Sequence, residues 1–283
     1  MNSPLKPGKV WLVGAGPGSP DLVTVRAMRA LASADVWLVD DLVAPEMSCY
    51  ARPGTHVEWV GKRGGRCSVT QARIQQLTLQ HALAGRTVAR VKGGDPLLFG
   101  RGGEEAAFLR AHGVPVEVVN GISSGVAAAQ ALGVALTHRA HCHGVTFVTG
   151  HTSEHGSPDW GALVRGGTTL VIYMGMSRLA AIRDGLLAAG MRADMPAAVV
   201  MHAGGAEERA WTGTVQTLAE ALTAGLASPA VVLVGGVVAE AMPQGTAMSS
   251  VAPWRPNRPA TGLDPEPGLQ ESGDPAQGGA GAG

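Results

Sequence analysis

The greatest density of groups able to do chemistry lies in Gly93-Gly94-Asp95-Pro96-Leu97-Leu98-Phe99-Gly100-Arg101-Gly102-Gly103-Glu104-Glu105. Five of these thirteen residues are glycine, and a missing Cβ lets a ligand come close to the main chain. A Gly-Gly-Asp turn offers that ligand backbone N–H and C=O groups and a carboxylate. Arg101 stands just before a helix whose first turn Glu104 and Glu105 charge favourably. A second cluster, Gly61-Lys62-Arg63-Gly64-Gly65-Arg66, places three cations in five residues. The planar fork of Arg and the point charge of Lys suit carboxylates or phosphates. A solvated basic loop has the same composition. Asp40 closes an apolar run, where an acid that binds ribose often sits. Asn120-Gly121-Ile122-Ser123-Ser124 sets small hydroxyls at the end of another run. Either serine also suits a helix N-cap. No G-x-S-x-G elbow surrounds them, which argues against a hydrolase nucleophile.

Gly14-Ala15-Gly16-Pro17-Gly18 permits close approach of a ligand, but it is not the dinucleotide fingerprint. Pro17 stands where an N–H-bearing turn is wanted, and the third glycine is misplaced. With Asp40 it still leaves a nicotinamide-dependent oxidoreductase to be weighed. His138, His141, Cys142, His143, His151 and His155 invite a zinc site, but their spacing fits no standard pattern, and no metal is expected. Met174 and Met176 suit packing, or contact with a soft, irregular ligand.

These residues need a scaffold that brings them together. Short β-branched runs, Val10–Val13, Val36–Val39, Val57–Val60, Thr87–Val91 and Val116–Val119, alternate with Ala- and Leu-rich stretches of helical spacing. The rhythm restarts with runs at 145–148, 169–173, 197–200 and 230–234. It predicts an α/β protein of two consecutive α/β domains with mostly parallel sheets. The expected division is a flexible N-terminus over 1–8, an N-terminal domain over 9–139, a C-terminal domain over 140–243 and a disordered Gly/Pro-rich tail over 244–283. From Ala252 to Gly283, 13 of 32 residues are Gly or Pro, too few core-formers to offset ordering entropy. Ligands of parallel sheets sit beyond the carboxyl ends of the strands, where the polar and glycine-rich segments gather. Lys+Arg and Asp+Glu are each 22, a balance that argues against a nucleic-acid partner. No run of 18 apolar residues suggests a membrane span. Three scattered cysteines fit a reducing cytoplasm.

Val13-Gly14-Ala15-Gly16-Pro17-Gly18 with Leu22-Val23-Thr24, then Val39-Asp40-Asp41-Leu42-Val43, then Val60-Gly61-Lys62-Arg63, resembles the opening of the tetrapyrrole methyltransferases. Lys92-Gly93-Gly94-Asp95-Pro96, Phe99-Gly100-Arg101-Gly102-Gly103-Glu104-Glu105, Leu136-Thr137-His138-Arg139, Val148-Thr149-Gly150-His151 and Tyr173-Met174-Gly175 follow in family order. Together they resemble the uroporphyrinogen-III C-methyltransferase branch, in its single-function form without an oxidase–chelatase module. The resemblance covers about Val10 to Val238. It implies S-adenosylmethionine bound between two α/β domains, with S-adenosylhomocysteine as product and no metal. It implies methylation of uroporphyrinogen III at carbons C2 and C7, giving precorrin-2 by way of precorrin-1, in sirohaem, cobalamin or haem d1 synthesis. It implies a cytoplasmic homodimer. By the same resemblance Asp40 and Lys62 correspond to proton acceptor and proton donor. Pro17, Gly93, Gly94, Asp95, Leu98, Ser123, Ser124, Met174 and Ala203 correspond to cofactor positions. Arg63, Arg66, Arg101, Glu104 and Arg139 are expected at the substrate.

The chemistry agrees with this. A polycarboxylate substrate requires a neutral protein to concentrate its cations at one mouth. A sulfonium donor is already activated and the acceptor is an electron-rich pyrrole carbon. The enzyme then mostly positions two reactants and manages a proton. Cys67 stands where the family usually has His, Asn120 replaces the usual Pro and so loosens that turn, and Ala203 stands where Gly is frequent. A methyltransferase acting on a later precorrin and a non-enzymatic tetrapyrrole carrier are the alternatives within reach of the same residues.

Overall fold

The computed structural model describes residues 6–61, 70–150 and 156–241. The expectations for Lys62, Arg63, Arg66, Cys67, His151, His155 and the tail lie outside the described residues.

The β-branched runs form the first sheet. β1 (Val10–Gly14), β2 (Val36–Val39), β3 (His56–Trp59), β4 (Val88–Lys92) and β5 (Val116–Val119) lie in the order β3-β2-β4-β1-β5, all parallel. Gly14 pairs with Lys92, and Val39 with Val91, so three strands end at one level. Side chains alternate between faces with period two. Val13, Trp37, Val39, Ala89 and Val91 pack beneath α1 (Val25–Ser33). Thr24 caps that helix by accepting from Ala27 N at 3.1 Å. The buried Trp37 indole donates to Leu31 O at 3.0 Å. Val10, Leu12, Val36, Leu38 and Val88 face the other way, into the cluster that holds Ala82 and Leu79 of α2 (Gln71–Leu83) and Ala106 and Leu109 of α3 (Gly102–Ala111). Arg90 and Lys92 continue the parity of Val88 and are both buried.

The second sheet holds β6 (Val145–Thr149), β7 (Thr169–Tyr173), β8 (Pro196–Met201), β9 (Arg209–Thr214) and β10 (Ala230–Val234), in the order β6-β7-β10-β8-β9. Here the expectation of mostly parallel pairing is corrected. Only β6–β7 is parallel; β7–β10, β10–β8 and β8–β9 are antiparallel. The reason is β9, a strand the apolar pattern does not announce. Arg209-Ala210-Trp211-Thr212-Gly213-Thr214 mixes polar residues and glycine because it is an edge strand with none of its residues fully buried. It returns directly beside β8, so no crossover helix separates them. α4 (Ser124–Leu132) covers one face of this sheet, with Ala127, Ala128 and Leu132 against Val171, Val200 and Leu233. α4 precedes residue 139 in sequence, yet its packing belongs to the second sheet. α6 (Leu179–Ala188) covers the other face, with Val164 of α5 (Trp160–Arg165) and Ala221 of α7 (Glu220–Thr223) in the same cluster.

His81 on α2 is buried, and among the described residues its Nδ1 has no hydrogen-bond partner. Burial, with Arg86 nearby, holds it below the ordinary value of 6.5. The unfolded chain therefore takes up this proton first as pH falls. The fold has its full stability above 6.5 and loses part of it as pH drops through the lowered value. In His81→Gln, urea unfolding above and below 6.5 should show that this part of the acid loss has disappeared.

Candidate active site

The loops after β1, β2, β4 and β5 meet at the carboxyl edge of the first sheet, and a loop of the second sheet closes over them. Gly16 and Gly94 form an antiparallel bridge, with Gly94 N donating to Gly16 O at 2.7 Å and Gly16 N to Gly94 O at 3.3 Å. Ala15 N donates to Lys92 O at 2.8 Å. Gly14 fits because a Cβ there would lie 2.5 Å from Gly121 N and 2.6 Å from Gly94 O. Three glycine-containing turns thus share one crowded point. Gly93 serves the protein too, since its Cβ would lie 2.7 Å from Leu42 Cβ. Gly94 has φ +66° and no heavy atom closer than 3.9 Å to a Cβ, so its open side faces space. Ser19 N donates to Gly204 O at 2.7 Å, which ties the first loop to the one after β8.

A cavity of about 1320 Å³ lies between these loops. Pro17, Gly93, Gly94, Asp95, Leu98, Ser123, Ser124, Met174 and Ala203 all line it, as do Asp40 and Arg101. Glu104 and Arg139 are not among its lining residues. Glu104 reaches it through Arg101, whose Nε donates to Oε1 at 3.0 Å and whose Nη2 donates to Oε2 at 2.6 Å. That guanidinium holds the Glu104 carboxyl below its ordinary value. Arg139 is exposed.

The Asp95 carboxylate is largely spent inside the protein. Oδ1 accepts from Leu97 N at 2.8 Å, and Oδ2 accepts from Asn120 Nδ2 at 3.1 Å and Gly121 N at 3.2 Å. Asn120 therefore does not leave its turn loose; its amide ties the loop after β5 to the loop after β4. Tyr173, at the end of β7, joins the two sheets. Its hydroxyl shares a 2.6 Å hydrogen bond with Ser123 Oγ and accepts from Gly125 N at 2.9 Å. Phe99 packs against it with the ring centres 4.8 Å apart and the planes tilted by 45°. Tyr173→Phe leaves a buried N–H without a partner, which should cost about 1–3 kcal/mol in urea unfolding.

Among the described residues four that are not glycine adopt positive φ: Phe99, Arg101, Met174 and His202, at +51° to +56°. All four line this cavity. Such backbone costs of order 1–3 kcal/mol per residue and persists where the surroundings over-determine it.

The cavity floor is charged. Arg90 is almost fully buried, with Nη2 3.3 Å from Asp40 Oδ2 and Nε 3.5 Å from Glu105 Oε1. Lys92 Nζ donates to Glu105 Oε1 at 3.0 Å, and Gln71 Nε2 donates to the same oxygen at 2.7 Å. Burial, and then Arg90, push Lys92 below its ordinary value, while Glu105 opposes them. The sequence carried a signal for this cluster: two cations of the same parity on a strand otherwise apolar must find buried counter-charges. His202 and Tyr173 also line the cavity and carried no comparable signal.

The histidine segment is built differently. His138 and His141 rings lie 4.6 Å apart, and His141 Nε2 is 3.0 Å from Glu240 Oε1. Among the described residues no three His, Cys, Asp or Glu side chains come together as a metal site.

Known proteins resemble the chain in sequence and fold. The chain is 48% identical over 244 residues to a uroporphyrinogen-III C-methyltransferase of Pseudomonas aeruginosa, covering 86% of this chain and 99% of that protein. The solved uroporphyrin-III C-methyl transferase of Thermus thermophilus complexed with S-adenyl homocysteine superposes with a TM-score of 0.71 at 41% identity, over 82% of this chain and 93% of that one. A cobalt precorrin-4 methyltransferase superposes with a TM-score of 0.73 at 28% identity, over 81% and 95%. The family model of the tetrapyrrole (corrin/porphyrin) methylases matches residues 9–219, and with the shared fold this places the chain in that family.

Proposed function

We propose that the cavity binds S-adenosylmethionine and uroporphyrinogen III and transfers methyl groups to C2 and C7 of the tetrapyrrole, giving precorrin-2 by way of precorrin-1. The observation that carries this is convergence: nine expected cofactor positions, Asp40 and Arg101 line one cavity. The identity to a uroporphyrinogen-III C-methyltransferase, 48%, exceeds that to the cobalt precorrin-4 enzyme, 28%, which favours the early substrate over a later precorrin.

The lining fits the cofactor. Gly94 turns an open backbone face towards the space, and Leu98, Met174 and Ala203 supply apolar surface for an adenosine and a thioether chain. Pro17, Gly93, Asp95, Ser123 and Ser124 complete that wall. When bound, the cofactor supplies an activated methyl on a sulfonium. The protein's part is to hold the ring against that methyl, to exclude water and to take up the proton released when the new carbon–carbon bond forms. Asp40 is assigned to the proton, with Lys62 as its donor counterpart. Arg101, supported by Glu104 and joined by Arg63, Arg66 and Arg139, is assigned to the substrate carboxylates. With this reading go a homodimer and a cytoplasmic location, both carried by the family resemblance.

The nicotinamide reading fails on the first glycine loop. Ala15 N and Gly16 N donate to Lys92 O and Gly94 O, so these N–H groups are not free for a pyrophosphate. The test is a single turnover with uroporphyrinogen III and labelled donor, with calorimetry of S-adenosylhomocysteine and NADH. Methyl incorporation with binding of the first ligand alone is expected. Tetrapyrrole binding without donor consumption would make the protein a carrier.

A further inference from the structure

Asp40 must present its carboxylate to the cavity in one orientation, and it sits on a loop just beyond β2 with its side chain one-third exposed. Two donors hold it from within the protein. Asp41 N donates to Oδ1 at 2.9 Å, and Arg90 Nη2 donates to Oδ2 at 3.3 Å. Each oxygen keeps lone-pair capacity for the cavity side. Arg90 is itself held by hydrogen bonds at both Nη atoms, while its Nε makes an ion pair and no hydrogen bond. Nη1 donates to Leu38 O at 3.3 Å and Val91 O at 3.2 Å, the main chain of β2 and β4. Nε faces Glu105 Oε1. Glu105 comes from the first turn of α3, and its Oε1 also takes Gln71 from the first turn of α2 and Lys92 from β4. Two strands and two helices therefore converge on one guanidinium whose free end meets Asp40.

We propose that Arg90 is the positioning residue of the Asp40 carboxylate, and that Glu105, gathered by Gln71 and Lys92, locks the Arg90 fork in place. The proposal rests on the proton-accepting role assigned to Asp40. A lysine cannot replace this arginine, because only a planar fork meets two carbonyls and two carboxylates at once. The charges of the buried Arg90, Glu105 and Lys92 and of the half-buried Asp40 also balance, two of each sign, so a charge-conserving change at Arg90 need not collapse the fold.

The test is a double-mutant cycle on the full chain, with initial rates of methyl transfer to uroporphyrinogen III, melting temperature and S-adenosylhomocysteine affinity for each variant. Asp40→Asn should lower kcat by about 10²- to 10⁴-fold, the span of a general base. Arg90→Lys should lower kcat by at least about tenfold, with KM and donor affinity changed much less, as a general base displaced from the proton it must take requires. Combining them should cost no more than Asp40→Asn alone, since a group acting through another adds nothing once that other is gone. If Arg90→Lys unfolds, Arg90→Gln with Glu105→Gln removes one charge of each sign, and the same cycle is run on that pair. Wild-type kcat in a folded Arg90 variant overturns the proposal, and so do losses that multiply across the cycle. Wild-type kcat in Asp40→Asn also overturns it, by removing the role of Asp40 itself. That outcome is separate from a failure of the methyltransferase reading, which the wild-type turnover and donor binding report.

Discussion

Glu105→Gln should destabilise the protein by about 3–5 kcal/mol, because it leaves Arg90 and Lys92 buried with one counter-charge fewer. Whole-protein stabilities are about 5–15 kcal/mol, so this one change approaches the unfolding threshold. A glutamine keeps the shape and can still accept from Gln71 or Lys92, so the loss is electrostatic and not steric. The second measurement is Glu105→Gln with Lys92→Met, which removes the orphaned cation and leaves an apolar chain of similar length. Much of the loss should return. If the pair is no more stable than the single variant, the cation was not what made Glu105 necessary. Alkaline pH gives an independent check. Lys92 sits below 10.5 in the fold, so between its lowered value and 10.5 the unfolded chain holds the extra proton and stability rises with pH. Glu105 is the group that opposes this lowering, so the rise should begin earlier in Glu105→Gln and vanish from the pair. Urea unfolding across that window reads both.

The same cluster shows where the sequence was legible and where it was not. The first sheet follows from its β-branched runs, because a parallel strand buried on both faces is nearly all apolar and reads at once. The loops that follow those strands were found for the same reason. The second sheet was harder. β9 is a polar edge, and its hairpin with β8 turned an expected parallel sheet into a mostly antiparallel one. α4, Ser-Gly-Val-Ala-Ala-Ala-Gln-Ala-Leu, has little polar face to mark it as a helix, because small residues pack it against β7 and β10. Glu104 and Glu105 look equivalent beside each other in sequence. The helix sends one to the surface, where it holds Arg101, and the other beneath the sheet to Arg90 and Lys92. Consecutive helical residues point about 100° apart, so neighbours need not share an environment. Asp95 was legible as important but not for its reason: its oxygens tie loops together.

Arg101→Ala is expected to lower uroporphyrinogen turnover by roughly 30-fold to several-thousand-fold, the equivalent of about 2–5 kcal/mol for one partner of a charge pair desolvated in the complex. The free protein shows how the residue waits. Its fork is held two-point by Glu104, with both side chains more than half exposed, at 55% and 56%. An exposed pair of this kind is worth about 0–1 kcal/mol, so a substrate carboxylate can replace Glu104 at little cost. The left-handed backbone at φ +56° aims the side chain at the cavity from the start of α3. Alanine meets the same backbone penalty as arginine, so the comparison isolates the guanidinium. Arg101→Lys should also be impaired, because an ammonium cannot engage a carboxylate with two parallel bonds. Glu104→Gln should change KM modestly and kcat little, since it releases the fork without removing it. Arg139, exposed and off the cavity wall, should lose less than Arg101 on replacement by alanine. Donor affinity by calorimetry should stay near wild type throughout, because a sulfonium gains nothing from a nearby cation. If Arg101→Ala loses donor affinity as much as turnover, the residue shapes the cofactor wall and the substrate assignment is wrong.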